Sequence, residues 1–278
     1  MKILVPMKRV ADPNNANKIK VSADGKLDSS MLQATANPFD EYALETALRL
    51  TENGQNTKAR LGEVVVVTFG GADADAMLRQ QLGVGADRAI RIEAADDVLD
   101  GDTVARALKA LVDKEKPDVV LLGKQAADGD ANQVGQILAE LLGWPQATSI
   151  GSVKSEGDKT FLVTKDMEDG TVSMRVTLPA VLTTDTRVNT PKAVQSVHSP
   201  AGFGYQDTGN GIRYAALMAI MAAKKKPLAT VKLAELLPAS SPKITYSRYE
   251  LPPARKAGVK VESVAELVQK LRTEAKVL

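Results

Sequence analysis

The chain has 278 residues, 44% hydrophobic and 25% charged, enough for one large domain or two modest ones with a sizeable core. Lysine plus arginine (36) nearly balances aspartate plus glutamate (34), so no global field draws the chain to nucleic acid or an anionic membrane. With no cysteine and one histidine, His198, the chain cannot form disulfides, thiol nucleophiles, iron–sulfur clusters, histidine metal clusters or its own serine-histidine-aspartate triad.

The elements, in chain order, predict a parallel sheet with crossover helices. Ile3-Leu4-Val5 is a first short apolar run, too short for a signal peptide. Residues 18–27 alternate around Asp24-Gly25 and predict a small hairpin inserted in the first crossover. Asn37-Pro38 is a helix-start signal, followed by Tyr42, Leu44, Ala47 and Leu50 at helical spacing. Apolar runs at Val64–Thr68, Ala89–Ile92 and Val119–Leu122 alternate with helical patterns over 72–82, 103–114 and 132–142. From 151 to 178 the period drops to two, which predicts antiparallel strands extending the sheet, before an apolar strand returns at 178–184. Loops rich in Ser, Gly and Asn follow Asn189 and lead into a helical segment, 214–226, ending in three lysines.

The tail carries Pro238, Pro242, Pro252 and Pro253, then an amphipathic helix over 263–276; such a segment builds no core of its own and is expected to lie against a partner subunit. The fold class expected is a doubly wound, mostly parallel α/β sheet with an antiparallel extension and a C-terminal arm. Its parts are a nucleotide-binding domain (1–190), an inserted loop with a partner-recognition segment (191–228) and the arm (229–278). No apolar stretch reaches 18 residues, so a soluble, cytoplasmic protein without membrane insertion is expected.

In a doubly wound sheet, ligands sit at the carboxyl ends of the strands where the chain order reverses. If the first and fourth apolar runs are central neighbours, Pro6-Met7-Lys8 faces Gly123-Lys124-Gln125 across that crevice. The loop Gly123–Ala131 has glycines at 123 and 129 and ends at a helix start, where exposed amides and the dipole favour an anion. Spacing alone supports an ordinary strand-to-helix loop equally well. Lys124 offers a point charge, whereas Asp128 and Asp130 oppose a phosphate unless they turn to loop amides or ribose hydroxyls. Gly83-Val84-Gly85 follows a helix and precedes a strand, which makes it a helix-ending turn rather than a dinucleotide fingerprint. No Walker loop is present, and Val5-Pro6-Met7-Lys8 lacks the serine- and glycine-rich phosphate loop of a nucleotide-dependent ligase or pyrophosphatase.

A series of motifs then occurs in order: V-P-M-K-R-V-A-D (5–12), N-P-F-D-E-Y-A-L-E (37–45), G-A-D-R (85–88), L-L-G-K-Q-A-A-D-G-D-A-N-Q-V-G-Q (121–136), W-P-Q (144–146), L-P-A-V-L-T (178–183) and A-K-K-K-P (223–227). Together they resemble the electron transfer flavoprotein beta subunits, whose sheet is of the adenine nucleotide alpha hydrolase type. The resemblance implies a heterodimer with an alpha subunit, in which FAD, held mainly by alpha, carries electrons from dehydrogenases such as acyl-CoA dehydrogenases to a membrane quinone oxidoreductase. The beta chain would be no enzyme but a scaffold with a structural AMP. The residues implied for AMP are Pro6, Asn37, Pro38, Phe39, Asp40, Phe69, Gly123, Lys124, Gln125, Ala126, Ala127, Asp128, Gly129, Asp130, Ala131, Asn132, Gln133 and Val134. Phe69 either stacks on adenine or plugs the core. Some relatives bind a second FAD in place of AMP and favour Thr-Ala-Gln where this chain has Ala131-Asn132-Gln133, which favours AMP. A stand-alone nucleotide-binding module is the other alternative, opposed by the unsupported tail.

Residues 213–221 resemble the family's recognition loop, with Leu217 as the anchor and Tyr214, Ile220, Met221, Lys224, Lys225 and Lys226 around it. Met218 and Met221 suit an adaptable surface, and the lysines either steer a partner or end a helix. By spacing alone Leu217, Ile220 and Met221 are a core stripe. The chain departs from the family in an insert, roughly Ala193–Ile212, expected to re-shape the docking surface or cover the anchor until a partner binds. Pro13 stands where many relatives carry an aromatic near the flavin, which places flavin tuning with alpha.

Overall fold

The computed structural model describes residues 1–28, 31–53, 56–207, 209, 211–239, 241–253 and 257–278. Seven strands form the central sheet: β1 (Lys2–Pro6), β2 (Glu63–Phe69), β3 (Arg88–Glu93), β4 (Val119–Gly123), β5 (Gln146–Ile150), β9 (Ala180–Thr184) and β11 (Leu228–Lys232). A second sheet holds β6 (Ser152–Ser155), β7 (Thr160–Met167), β8 (Gly170–Thr177) and β10 (Val194–Gln195). The central order is β5-β9-β4-β1-β2-β3-β11, and every neighbouring pair is parallel. The chain moves outward from β1 through β2 to β3 and then returns to the other side of β1 with β4. The order therefore reverses between β1 and β4, as the sequence predicts.

Valine- and leucine-rich strands suit this sheet because both of its faces are covered. Alternation sends Ile3, Val5, Val64 and Val66 into one core layer with α1 (Pro38–Thr51) and α2 (Asp75–Val84). Leu4, Val65 and Val67 face the other layer, built from α3 (Gly101–Glu115), α4 (Val134–Leu142) and α6 (Leu233–Leu236). Near α2 lies α5 (Leu217–Ala223), whose Ala223 is buried in the first layer.

The structure differs from the sequence-based expectation in four places. The period-two segment forms its own sheet, order β8-β7-β6-β10, instead of lengthening the central one; β7 and β8 pair over all eight of their residues. Residues 228–232, expected to open the arm, form edge strand β11 beside β3. The helix expected over 214–226 is confined to 217–223, because Ala216 is extended. Helix α4 begins at Val134, because Asp130 and Asn132 hold left-handed φ values of 48° and 47°.

Two compact units result. The larger spans 1–19 and 29–246 and contains both sheets. The smaller spans 20–28 and 247–278. Within the smaller, Lys20–Val21 pairs antiparallel with Leu27–Asp28 around the predicted turn, and the amide of Tyr249 donates to the Gly25 carbonyl at 2.9 Å. Its helix α7 (Val264–Lys270) is capped by Ser263 and passes into a wider turn, Leu271–Ala275. No helix among the described residues is long and apolar enough to cross a membrane.

Candidate functional site

Asn37 and Pro38 start α1 at the carboxyl edge of the sheet, but the Asn37 side chain makes no cap bond to its own helix. Its Nδ2 donates to the Gln125 carbonyl at 2.8 Å, and its Oδ1 accepts from the Ala127 amide at 3.0 Å. One buried amide thereby holds the loop after β4 at two points. Asp40, one turn on, does the same for the strand ends. Its carboxylate accepts from the Lys8 amide at 2.7 Å, just past β1, and from the Gly123 amide at 3.1 Å, at the end of β4. Burial pushes the Asp40 carboxyl up to about 7, against the opposing pull of these amides. Each oxygen accepts from one backbone N–H, and these bonds offset only part of what burial costs the ionised form.

Gly123 is required by this convergence. A Cβ there would stand 2.5 Å from Asp40 Oδ1 and 2.5 Å from the Phe39 carbonyl carbon. Gly129 is different, since a Cβ there would meet nothing within 4 Å, which marks the open tip of the loop.

The charged side chains of the loop are already engaged. Lys124 Nζ lies 2.9 Å from Asp185 and 5.4 Å from the centroid of the Phe39 ring. Burial pushes the Asp185 carboxyl up, but Lys124 and the Arg187 amide outweigh it and hold it below its ordinary value. Lys8 Nζ meets Asp128 at 2.8 Å, and Gln125 Nε2 donates to Asp130 at 2.7 Å. The two aspartates that oppose an anion are thus each held by a donor of the protein, a device that loop spacing does not reveal. Lys124, in turn, is directed to a carboxylate.

Ala131, Asn132 and Gln133 are exposed and lead into α4 at Val134. Among the described residues, the amides of these four donate to no protein acceptor, as expected for a helix start open to an anion. Two polar atoms at the same edge are buried without a partner: Thr68 Oγ1 near the end of β2, and Gln136 Oε1 in the first turn of α4. Sequence reading singles out neither as a site residue. Pro6 is buried beside Val67, and Phe69 is half-buried against the layer of α3 and α4. No cluster of three or more metal-ligating side chains occurs among the described residues.

Over 279 aligned residues the chain is 42% identical to the electron transfer flavoprotein subunit beta of Bradyrhizobium diazoefficiens, with all of both chains covered, and the electron transfer flavoprotein domain matches residues 25–236. The chain belongs to the electron transfer flavoprotein beta-subunit family. It is also 40% identical to the mitochondrial subunit beta of Arabidopsis thaliana, again with all of both chains covered. It is 40% identical to the human subunit beta, over 98% of this chain and 97% of that one.

In this beta-subunit chain the segment expected to recognise partners is bared rather than packed. Leu217 is 74% and Met218 76% exposed, and Tyr214 and Met221 are also open. Ile220 is divided, with its backbone against α2 and part of its side chain outside. Lys224 and Lys225 are exposed, but Lys226 is half-buried and donates from Nζ to the carbonyls of Leu82 (2.9 Å) and Ala86 (2.6 Å). Lys226 is thus a structural cation and not a free steering charge.

The insert leaves the anchor uncovered and lies along α1 instead; its residues 208 and 210 fall outside the described set. Within it, the Tyr205 ring lies 4.5 Å from the Arg49 guanidinium, and Arg49 Nη2 donates to the Gly211 carbonyl at 2.7 Å. Arg49 also pairs with buried Glu45 at 2.6 Å. Glu45 takes a second cation, Arg213, at 2.8 Å, and Arg213 reaches Glu52 at 2.6 Å. Arg213, which opens the segment expected to recognise partners, thereby shares the Glu45 carboxylate with Arg49, the residue that holds the insert.

Proposed function

We propose that this chain is the AMP-binding beta subunit of a heterodimeric electron transfer flavoprotein, with AMP at the carboxyl edge between β1 and β4. The observation that carries the reading is the frame built by Asn37 and Asp40. It locks the end of β1, the start of α1 and residues 123–127 together while the first amides of α4 stay open. The residues present fit a nucleotide. Open amides at 131–134 suit a phosphate, Gly123 keeps the crevice floor low, and Thr68 Oγ1 and Gln136 Oε1 are buried polar atoms without a partner in the strand that ends and the helix that begins at this edge. Lys8 offsets the charge of Asp128, and Gln125 holds the Asp130 carboxylate by a hydrogen bond.

AMP in this reading is structural, and FAD, held mainly by the alpha subunit, supplies one- and two-electron redox chemistry. No acid–base residue is required of this chain, whose task is to position and to dock. Leu217 and its neighbours meet acyl-CoA or related dehydrogenases, the arm lies on alpha, electrons pass to a membrane quinone oxidoreductase, and the complex works in the cytoplasm.

The test is to purify the chain with its alpha subunit and identify the released ligands by mass spectrometry. One AMP and one FAD per heterodimer is expected, with AMP alone lost in Asn37→Ala. Two FAD per heterodimer overturns the AMP assignment, and a chain that stays monomeric when co-expressed with its alpha subunit overturns the heterodimer.

A further inference from the structure

Helix α5 has seven residues, too few to be stable alone in water. Its apolar side chains do little to hold it, because Leu217, Met218 and Met221 are exposed and Ala223 is its one buried residue. Two cations hold it instead. Arg79, on α2, donates from Nη1 to the carbonyls of Ala223 at 2.9 Å and Lys226 at 2.6 Å, closing the end of α5. Lys226, just past α5, sends Nζ back to the carbonyls of Leu82 and Ala86, closing the end of α2. The terminal carbonyls of each helix thus accept from a cation carried by the other, at the pole where a positive charge is favourable. The backbones can come this close because position 83 is glycine, where a Cβ would stand 3.3 Å from Ile220 Cα and 3.2 Å from Ala215 Cβ. The entry to the segment is pinned as well, by Arg213 on Glu45 and Glu52.

We propose that Arg79 and Lys226 form a reciprocal clasp that keeps α5 folded on α2, so that Leu217, Met218 and Met221 meet a partner as a preformed face. The proposal rests on the reading of this segment as a docking surface. Arg79 and Lys226 touch no partner themselves; they are positioning residues, acting through the helix they hold. A face already in its bound form loses less freedom on association than one that must order on contact.

The test uses the full chain assembled with its alpha subunit, in Arg79→Met, Lys226→Met, Arg79→Lys and Leu217→Ala forms. An acyl-CoA dehydrogenase of the same organism serves as electron donor. Arg79→Met and Lys226→Met are expected to speed amide hydrogen exchange across 217–223 by roughly tenfold while α3 and α4 keep their protection. They should raise the KM for the donor about five- to tenfold with kcat at saturation retained, and Arg79→Lys should recover part of both effects. Unchanged exchange at 217–223 overturns the clasp. Faster exchange with an unchanged KM, where Leu217→Ala does raise KM, overturns the preformed face and leaves the docking reading intact. If Leu217→Ala has no effect on KM, the docking reading itself falls and takes the proposal with it.

Discussion

Asp40 and Gly123 meet where α1 begins and β4 ends, and each constrains what the other position tolerates. In Gly123→Ala the new methyl strikes Asp40 and the Phe39 backbone, and overpacking of this kind costs about 1–3 kcal/mol. Chemical denaturation should show that loss, whereas Gly129→Ala, with open space around it, should leave the midpoint unchanged. The raised Asp40 value has a defined sign. The folded chain holds a proton that the unfolded one releases at 3.8, so this group adds stability below that pH and withdraws it as the pH rises to about 7. The stability difference between wild type and Asp40→Asn is expected to shrink over that window in urea titrations, and a difference independent of pH would remove Asp40 as its source. Glu45 behaves oppositely. Burial alone raises its carboxyl, but Arg213 and Arg49 prevail and lower it, so its contribution is present above 4.5 and lost as the pH falls through the depressed value. Glu45→Gln leaves the buried Arg49 and the partly buried Arg213 guanidinium short of charge and should cost about 3–5 kcal/mol. These pairings are hidden in sequence, because the chain separation between Glu45 and Arg213 carries no local signal. Asn37 is legible only in part: the same residue type serves as a helix cap and as a bridge, and the structure uses the bridge.

Among the elements, β1 to β4 and their helices are legible because continuous apolar runs alternate with 3.6-residue patterns. Edge strand β11 is not, because only Leu228 and Val231 of its five residues are partly buried and the rest face solvent. Period two identifies β6 to β8 as strands but cannot say which sheet they join, since partner choice depends on residues distant in the chain. Close packing is similarly invisible. Gly135 lies in α4 against β9, where a Cβ would stand 2.6 Å from Thr183 Cγ2. Alanine is worth about 1 kcal/mol over glycine inside a helix, yet Gly135→Ala should still lower the thermal midpoint, because the rigid helix-to-strand contact gives no room. A raised midpoint would show that α4 can lift without penalty.

For the molecule as a whole, the reversal of strand order between β1 and β4 is the feature sequence reading reaches most directly, and it marks the edge at which the nucleotide is proposed to sit. The extent of the larger unit is harder to read, because its last pieces, β11 and α6, run straight into a proline-spaced stretch and read with it as the arm. The same strand order also sets a timetable. Neighbours β3, β2, β1 and β4 all lie within the first 123 residues, whereas β9 must wait until residue 184 to be made and β11 until residue 232. A nascent chain emerging from the ribosome can therefore assemble the strand ends, the Asn37–Asp40 frame and, once α4 is out at residue 142, the whole proposed nucleotide loop while α5 is still unsynthesised. Ribosome-bound chains arrested with residues 1–142 exposed are expected to retain AMP, and chains arrested before β4 to retain none. Retention of AMP by the chains exposing residues 1–142 would mean that the proposed nucleotide can stabilise the half-made sheet during the interval in which its β4 edge stands unpaired.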